Sequence, residues 1–310
     1  MESSVTQGQS IDNPFLLYAV RVTAIKQVSP TFRRFTFAGP DTTSIADTGY
    51  DQRMKLIFPL PGKDFSDFPM IDNWYSAWRA LPNDERPPVR TYTLRNVRPE
   101  TGEFDVDIAL HGRLGPASTW ASDAVIGDEI IVTAPNSRSA TYGGGIDWHP
   151  PAAVNRVLLV GDETSAPAIA GILERLDPST IGAAVLELPD AADAAIIGRK
   201  PDGVELTVLG RGDGPVGSAS IPRVCAIATE LVEAPIESAT PLEDVDVDTD
   251  LLWEAPTADV VPSSAPLYAW LAGEAVVIKT LRRHLVTECG VDRRAVAFMG
   301  YWRHGRAETN

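Results

Sequence analysis

Residues 155–176 read NRVLLVGDETSAPAIAGILERL, and this stretch decides what kind of sheet the chain builds. Arg156 is followed by four apolar residues with no polar alternation, the texture of a strand covered on both faces. Gly161 breaks that run, and from about Ser165 or Ala166 apolar residues recur at helical spacing. Strand, turn and helix in this order open a βα unit of a parallel sheet. Further strands are predicted at AAVLEL (183–188), VELTVLG (204–210), WLAGE (270–274) and AVAFMGY (295–301), with a helix over GEAVVIKTLRRHLVTEC (273–289).

Upstream of this stretch the texture differs. LYAVRVTAIKQVS, TFRRFTFAG, MKLIFPL, VRTYTLRNV, EFDVDIALHG and DEIIVTAP are short strand-like runs separated by Gly, Pro and Asp, as in an antiparallel barrel or sandwich. The interruption at 61–88, rich in Pro, Asp and aromatic residues, reads as a surface loop. Residues 137–151, SRSATYGGGIDWHPP, have the Gly and Pro density of a linker. The expected organisation is therefore an N-terminal antiparallel β-barrel domain over 15–140 and a parallel α/β domain over 151–310. The acidic segment 235–262, with its EDVDVDTD run, reads as a solvated loop.

A chain of 310 residues exceeds what one hydrophobic core usually spans, in agreement with two domains. Its 42 acidic residues against 27 Lys and Arg give a net charge of -15, which repels nucleic acid and anionic membrane surfaces. Local basic clusters in such a field become informative. Two cysteines are too few for a disulfide framework or an iron–sulfur cluster, and a reducing cytoplasm is expected. No run long enough to span a bilayer and no leader-like N-terminus is apparent, so no membrane span is expected.

The strand Val-Arg-Thr-Tyr-Thr-Leu over 89–94 places Arg90, Tyr92 and Leu94 on one face. A guanidinium and a ring one pleat apart can fork a phosphate while stacking on a planar heterocycle; an ordinary half-exposed strand is the alternative. Thr91 and Thr93 face the other way, and Thr93 brings a hydroxyl and an N–H. One strand later, ALHGRLGPASTWAS (109–122) contains Gly115-Pro116-Ala117-Ser118 at the start of a short helix, the position from which backbone N–H groups bind phosphate. In the second domain, Gly161-Asp162-Glu163-Thr164 lies at the carboxyl end of a strand, where open α/β sheets bind nucleotides. Glu187, about 26 residues on, stands where an acidic ribose reader or a simple strand-end charge would. GDGPVG (212–217) matches a phosphate-loop pattern literally, but Pro215 and the following SASIPR predict a loop with no helix behind it. A strand ending in Gly300 delivers Tyr301, Trp302, Arg303, His304 and Arg306 to the sheet edge. The four histidines have no metal-ligand spacing, so no protein-bound metal is expected.

RTYTLR, ALHGRLGPASTWA, LLVGDETSAPAI, WLAGEAVVIKTLRRHL and GYWRHGRAE, in this order, resemble the siderophore-interacting proteins, a branch of the ferredoxin-reductase-like flavoproteins. The resemblance runs from about Tyr18 to Glu308. It implies an FAD-binding barrel followed by a Rossmann-like NAD(P)-binding domain. Carried over by position, it implies that Arg90, Thr91, Tyr92 and Thr93 hold the flavin ring and its nearer phosphate, with Thr93 tuning the reactive nitrogen. Ala109, His111, Gly112, Gly115, Pro116, Ala117 and Ser118 would cradle the phosphates. Thr164, Gly273 and Glu274 fall on the nicotinamide side, and Tyr301, Trp302 and Arg303 would close over the flavin. Lys55, Arg282, Arg303 and Arg306 are candidates to meet a ferric siderophore.

The implied reaction is transfer of electrons from NADH or NADPH, or from reduced ferredoxin, through FAD to chelated Fe(III). Hard oxygen donors hold Fe(III) better than Fe(II), so reduction releases the metal. Two alternatives stay open: a flavin reductase that feeds a protein partner, and a carrier that binds ferric siderophore without reducing it.

Overall fold

The structure is a computed structural model that describes residues 8–110, 112–113, 115–141, 144–232, 252–262 and 265–306. Contacts divide the chain into two compact units between Ile146 and Asp147, inside the stretch read as a linker.

The first unit contains β1 (Phe15–Gln27), β2 (Phe32–Ala38), β3 (Arg53–Ile57), α1 (Trp74–Ala80), β4 (Val89–Thr93), β5 (Val97–Arg98), β6 (Glu103–Ala109), α2 (Pro116–Asp123) and β7 (Glu129–Pro135). Its seven strands lie in the order β4-β3-β7-β1-β2-β6-β5, with every pairing antiparallel. The chain leaving β4 crosses from one edge of this sheet to the other: Arg95 N–H donates to Asp105 O and Asp105 N–H to Asn96 O, both at 2.9 Å. That crossing curls the sheet into a half-closed barrel. Inside it, alternate residues Phe35, Phe37, Phe104, Val106, Ile108, Leu56 and Val132 are fully buried, which is the period-2 pattern that made these strands readable. The inner face of α2 adds Ala117 and Ala121, and Trp120 packs on Phe35 and Phe58 with ring centroids 5.3 Å apart in both cases.

Charges are buried on the β2–β6 pair. Arg34 forks Asp107 at 2.7 and 2.8 Å, and Arg95 reaches the same carboxylate at 3.3 Å. Next to it, Arg98 forks Asp105 at 2.9 and 3.0 Å. The interruption at 61–88 is more than the surface loop expected from sequence. It folds into α1 and a satellite core in which Phe68 and Trp78 pack on Leu17, Ile57, Val89 and Ile131. Its aromatics, scarce in solvated loops, face the outside of the barrel wall.

The second unit contains β8 (Arg156–Asp162), α3 (Ala166–Arg175), β9 (Ile181–Leu188), β10 (Val204–Gly210), α4 (Ser220–Leu231), β11 (Trp253–Glu254), β12 (Tyr268–Glu274), α5 (Ala275–Arg283) and β13 (Val296–Trp302). The order is β10-β9-β8-β12-β13-β11, parallel except for the antiparallel edge strand β11. Strand order reverses between β8 and β12, which makes their carboxyl ends the switch point of the sheet. Two expectations need correction. The loop at 212–217 does lead into a helix, because Pro222 sits in the first turn of α4, where its missing N–H costs nothing. β13 runs on to Trp302 instead of ending at Gly300, so Tyr301 and Trp302 are strand residues. Of the acidic 235–262 segment, residues 252–262 are described, and they include β11.

Candidate functional site

In the barrel unit, β4 presents Arg90 and Tyr92, both half-buried, on the face that continues to buried Leu94. Thr91 is exposed and accepts a hydrogen bond from Lys55 Nζ across the β3–β4 pair at 3.1 Å, while Thr93 is buried. Arg90 Nη1 donates to Val89 O at 2.8 Å. Tyr92 packs against the apolar cluster that also contains Ala117, so the β4 face and the first turn of α2 border one core.

The amino end of α2 is an uncapped helix start, the kind of position at which backbone N–H groups bind anions. Gly115 occupies the cap position with φ +83°, which favours glycine, and no side chain caps the helix. Open space lies beside the Gly115 Cα. Pro116 contributes no N–H, so the free donors of the first turn come from the residues after it. Ser118 is buried one turn in. At the other end, Arg33 Nη1 donates to Ala121 O at 2.8 Å and Ser122 O at 3.4 Å, placing a cation on the negative end of the helix. Ala109 ends β6 and Gly112 follows with φ +69°; His111 lies outside the described residues.

In the second unit, the switch point is a cluster of buried carboxylates. Asp162, at the end of β8, accepts four hydrogen bonds. Thr164 N–H and Oγ1 reach Oδ1 at 2.8 and 2.5 Å, and Glu274 N–H and Trp302 Nε1 reach Oδ2 at 2.9 and 2.7 Å. The β12 backbone approaches so closely that a side chain on Gly273 would collide with the Asp162 carboxylate. Glu274 caps α5: its Oε2 accepts from Val276 N and Val277 N at 2.8 and 3.1 Å, and its Oε1 from His304 N at 3.2 Å. Glu187 caps the start of α4 from β9, accepting from Gly217 N and Ser220 N at 2.8 and 2.7 Å. Glu187 is thus a buried helix cap whose oxygens both accept backbone bonds, a role that neither reading of it from sequence included. Arg211 forks Glu163 at 2.8 and 3.0 Å and lies 4.0 Å from Glu187. These caps were missed from sequence because each acid bonds to a helix start that only the tertiary fold brings beside it, or, for Glu274, to a cap position that a strand reading conceals.

The structure therefore brings Thr164, Gly273, Glu274 and Trp302 together around Asp162. Tyr301 stacks on Trp253, with ring centroids 5.4 Å apart and planes 22° from parallel, and meets Trp270 edge-on. Among the siderophore candidates, Arg282 is corrected. It is buried, with its guanidinium 4.0 Å from the Phe298 ring centre and 3.4 Å from Glu254, so it serves packing and not an exposed ligand. Lys55 is on β3, while Arg303 and Arg306 follow β13.

Burial, with the Glu163 carboxylate alongside, pushes Asp162 up to about 6 from 3.8, against the pull of the Thr164 and Trp302 donors. The folded chain thus holds this proton more tightly than the unfolded one. The group's contribution to stability is fully present below about pH 4 and is lost as pH rises through about 6. Protonation also takes an acceptor site away from the four donors. We expect tryptophan emission to shift with a midpoint near pH 6, and the shift to vanish in Trp302→Phe. A flat emission profile between pH 5 and pH 7 would contradict this coupling.

Comparison with known proteins supplies the family. Residues 21–139 match the siderophore-interacting FAD-binding domain, and residues 154–305 match the siderophore-interacting protein domain. The chain belongs to the siderophore-interacting protein family. A Mycobacterium tuberculosis (strain H37Rv) relative is 32% identical over 94% of this chain and 92% of its own length. The ferric vibriobactin reductase ViuB of Vibrio cholerae is 24% identical over 91% of this chain and 88% of its own. The structure of the siderophore-interacting protein SipS from Aeromonas hydrophila superposes with a TM-score of 0.66 at 26% identity, covering 96% of this chain and 95% of that one. The ferredoxin reductase of carbazole 1,9a-dioxygenase shares the fold, with a TM-score of 0.54 at 14% identity over 94% of this chain and 70% of that one. This siderophore-interacting protein is thus a flavoprotein with a ferredoxin-reductase-like fold. No described helix is long and apolar enough to cross a membrane.

Proposed function

We propose that this siderophore-interacting protein is a ferric-siderophore reductase, taking electrons from a nicotinamide nucleotide and releasing Fe(II) from its chelate. The observation that carries the reading is the pairing, on one barrel, of an uncapped helix start behind Gly115 with the Arg90–Tyr92 face of β4. These residues fit FAD. The N-terminal turn of α2 meets the diphosphate, helped by the space at Gly115 and the Ser118 hydroxyl. Arg90 supplies a guanidinium for phosphate and Tyr92 a ring for stacking, while the Thr93 hydroxyl and N–H orient the ring edge. FAD, when bound, supplies the step from a paired to a single-electron transfer, which no amino-acid side chain in this site performs. The ferric chelate is substrate, and Lys55, Arg303 and Arg306 are the cations that would attract it if it is anionic.

The reading is supported by the family match and by the similarity to a ferric vibriobactin reductase. The test is anaerobic: chemically reduced, FAD-loaded protein is mixed with a ferric siderophore and a chromogenic Fe(II) trap. Trapped Fe(II) at a rate set by protein concentration is expected. Reoxidation only with a protein partner would favour a flavin reductase, and no reoxidation a carrier. Ser118→Ala should weaken FAD binding by about 1.5–3 kcal/mol, the loss of one hydrogen bond to a charged group, as read by flavin fluorescence titration.

A further inference from the structure

We infer that the α/β unit selects its nucleotide by charge, accepting NADH and rejecting NADPH, because the ribose end of its cleft holds carboxylates whose neighbouring guanidinium is already committed. The inference rests on the reductase reading in one respect, the use of a nicotinamide nucleotide as donor.

In an open sheet of this order the adenosine half of a dinucleotide crosses the carboxyl ends of the first two parallel strands, with the ribose at the end of the second. Those strands are β8 and β9, ending in Asp162 and Leu188. A small pocket there is lined by Gly161, Asp162, Glu187, Ser220, Gly273 and Glu274 among others, and no Lys or Arg is among its described lining residues. Glu187 is buried one residue before the end of β9, and Glu163 follows Asp162 directly. Arg211, just past β10, is the cation of this corner, and it forks Glu163 with Glu187 4.0 Å away.

The start of α3, behind β8, carries no side-chain cap and serves the pyrophosphate that both nucleotides share, but the helix starts nearer β9 do not compensate for a further phosphate. An uncapped helix start attracts phosphate, but Glu187 already occupies the N–H groups before α4 and Glu274 those of α5. Arg303 and Arg306 follow β13, which is separated from β9 by β8 and β12. NADH brings only its pyrophosphate to this edge. NADPH adds, on the ribose at the end of β9, a phosphate monoester of about −1.5 to −2 charge, and among the described residues the cation of that corner, Arg211, is engaged by Glu163.

Isothermal titration calorimetry of the FAD-loaded protein with ADP-ribose and with 2′-phospho-ADP-ribose reads the effect of that phosphate directly. We expect ADP-ribose to bind at least about tenfold more tightly at low ionic strength, and the gap to narrow with added salt as the charges are screened. Anaerobic bleaching of the flavin by NADH should exceed that by NADPH in the same proportion. Glu163→Gln, which frees Arg211, should raise the affinity for the 2′-phosphorylated form. If that variant does not fold, the salt dependence of the unaltered protein decides alone. Equal or tighter binding of the 2′-phosphorylated form, or a preference indifferent to salt, overturns the proposal. If neither nucleotide bleaches the flavin, the donor reading and this inference fall together. Fe(II) release by the chemically reduced protein still reports separately on the reductase reading.

Discussion

Arg90→Ala and Tyr92→Ala are each expected to yield a folded protein that leaves purification without its yellow colour. Arg90 and Tyr92 are half-buried on the edge strand β4, so truncating either leaves the seven-stranded sheet paired. What is lost is ligand contact. A hydrogen bond from a guanidinium to phosphate contributes about 1.5–3 kcal/mol, or roughly tenfold to a hundredfold in affinity. Removing the Tyr92 ring gives up its stacking and the area it covers, about 0.5–1.5 kcal/mol beyond simple burial. Absorbance of the purified variants and FAD titration of the apoproteins make the check, with circular dichroism confirming the fold. Full flavin content in both would remove the basis for placing FAD on this face.

Asp107→Leu should be the most damaging single change in the barrel. Its carboxylate is fully buried between Arg34 and Arg95, and the Arg95 side chain is only 2% exposed. Removing the carboxylate from a buried ion pair costs about 3–5 kcal/mol, a large part of the 5–15 kcal/mol that holds a typical domain together. A fall in melting temperature of about 10 °C or more is expected for a unit of this size. Combining Asp107→Leu with Arg95→Met should recover part of the loss, because the buried charge is then removed together with the carboxylate it paired with. A double variant as unstable as the sum of the singles would show that volume, not charge, sets the cost.

The first unit was legible because its strands carry local period-2 alternation, as in Phe35, Phe37, Phe104 and Val106, and an antiparallel barrel or sandwich was anticipated from those runs. The first βα unit was equally plain, with Ser165 at the cap position of α3 as its sequence suggests. α4 was hidden because SIPRVCAIATEL begins behind a Gly-rich turn and carries Pro222, which reads as a breaker unless the helix start is known. α1 was hidden because a seven-residue helix gives too short a period to detect. At the site, the shared face of Arg90 and Tyr92 follows from strand geometry alone. The capping roles of Glu187 and Glu274, and the burial of Arg282 against Phe298, depend on which elements become neighbours, and no local pattern encodes that.

The pairing of Phe15 with Pro135 has a consequence for how the molecule is made. Of the described strands of this unit, β1 is synthesised before the others and has β7 for one neighbour, and β7 is synthesised after them. Until β7 emerges, one edge of β1 stays open, and closing so long a loop is slow. The barrel can therefore finish only as the ribosome moves on to the second sheet, and during that interval the nascent chain offers an unpaired β edge to chaperones or to other copies of itself.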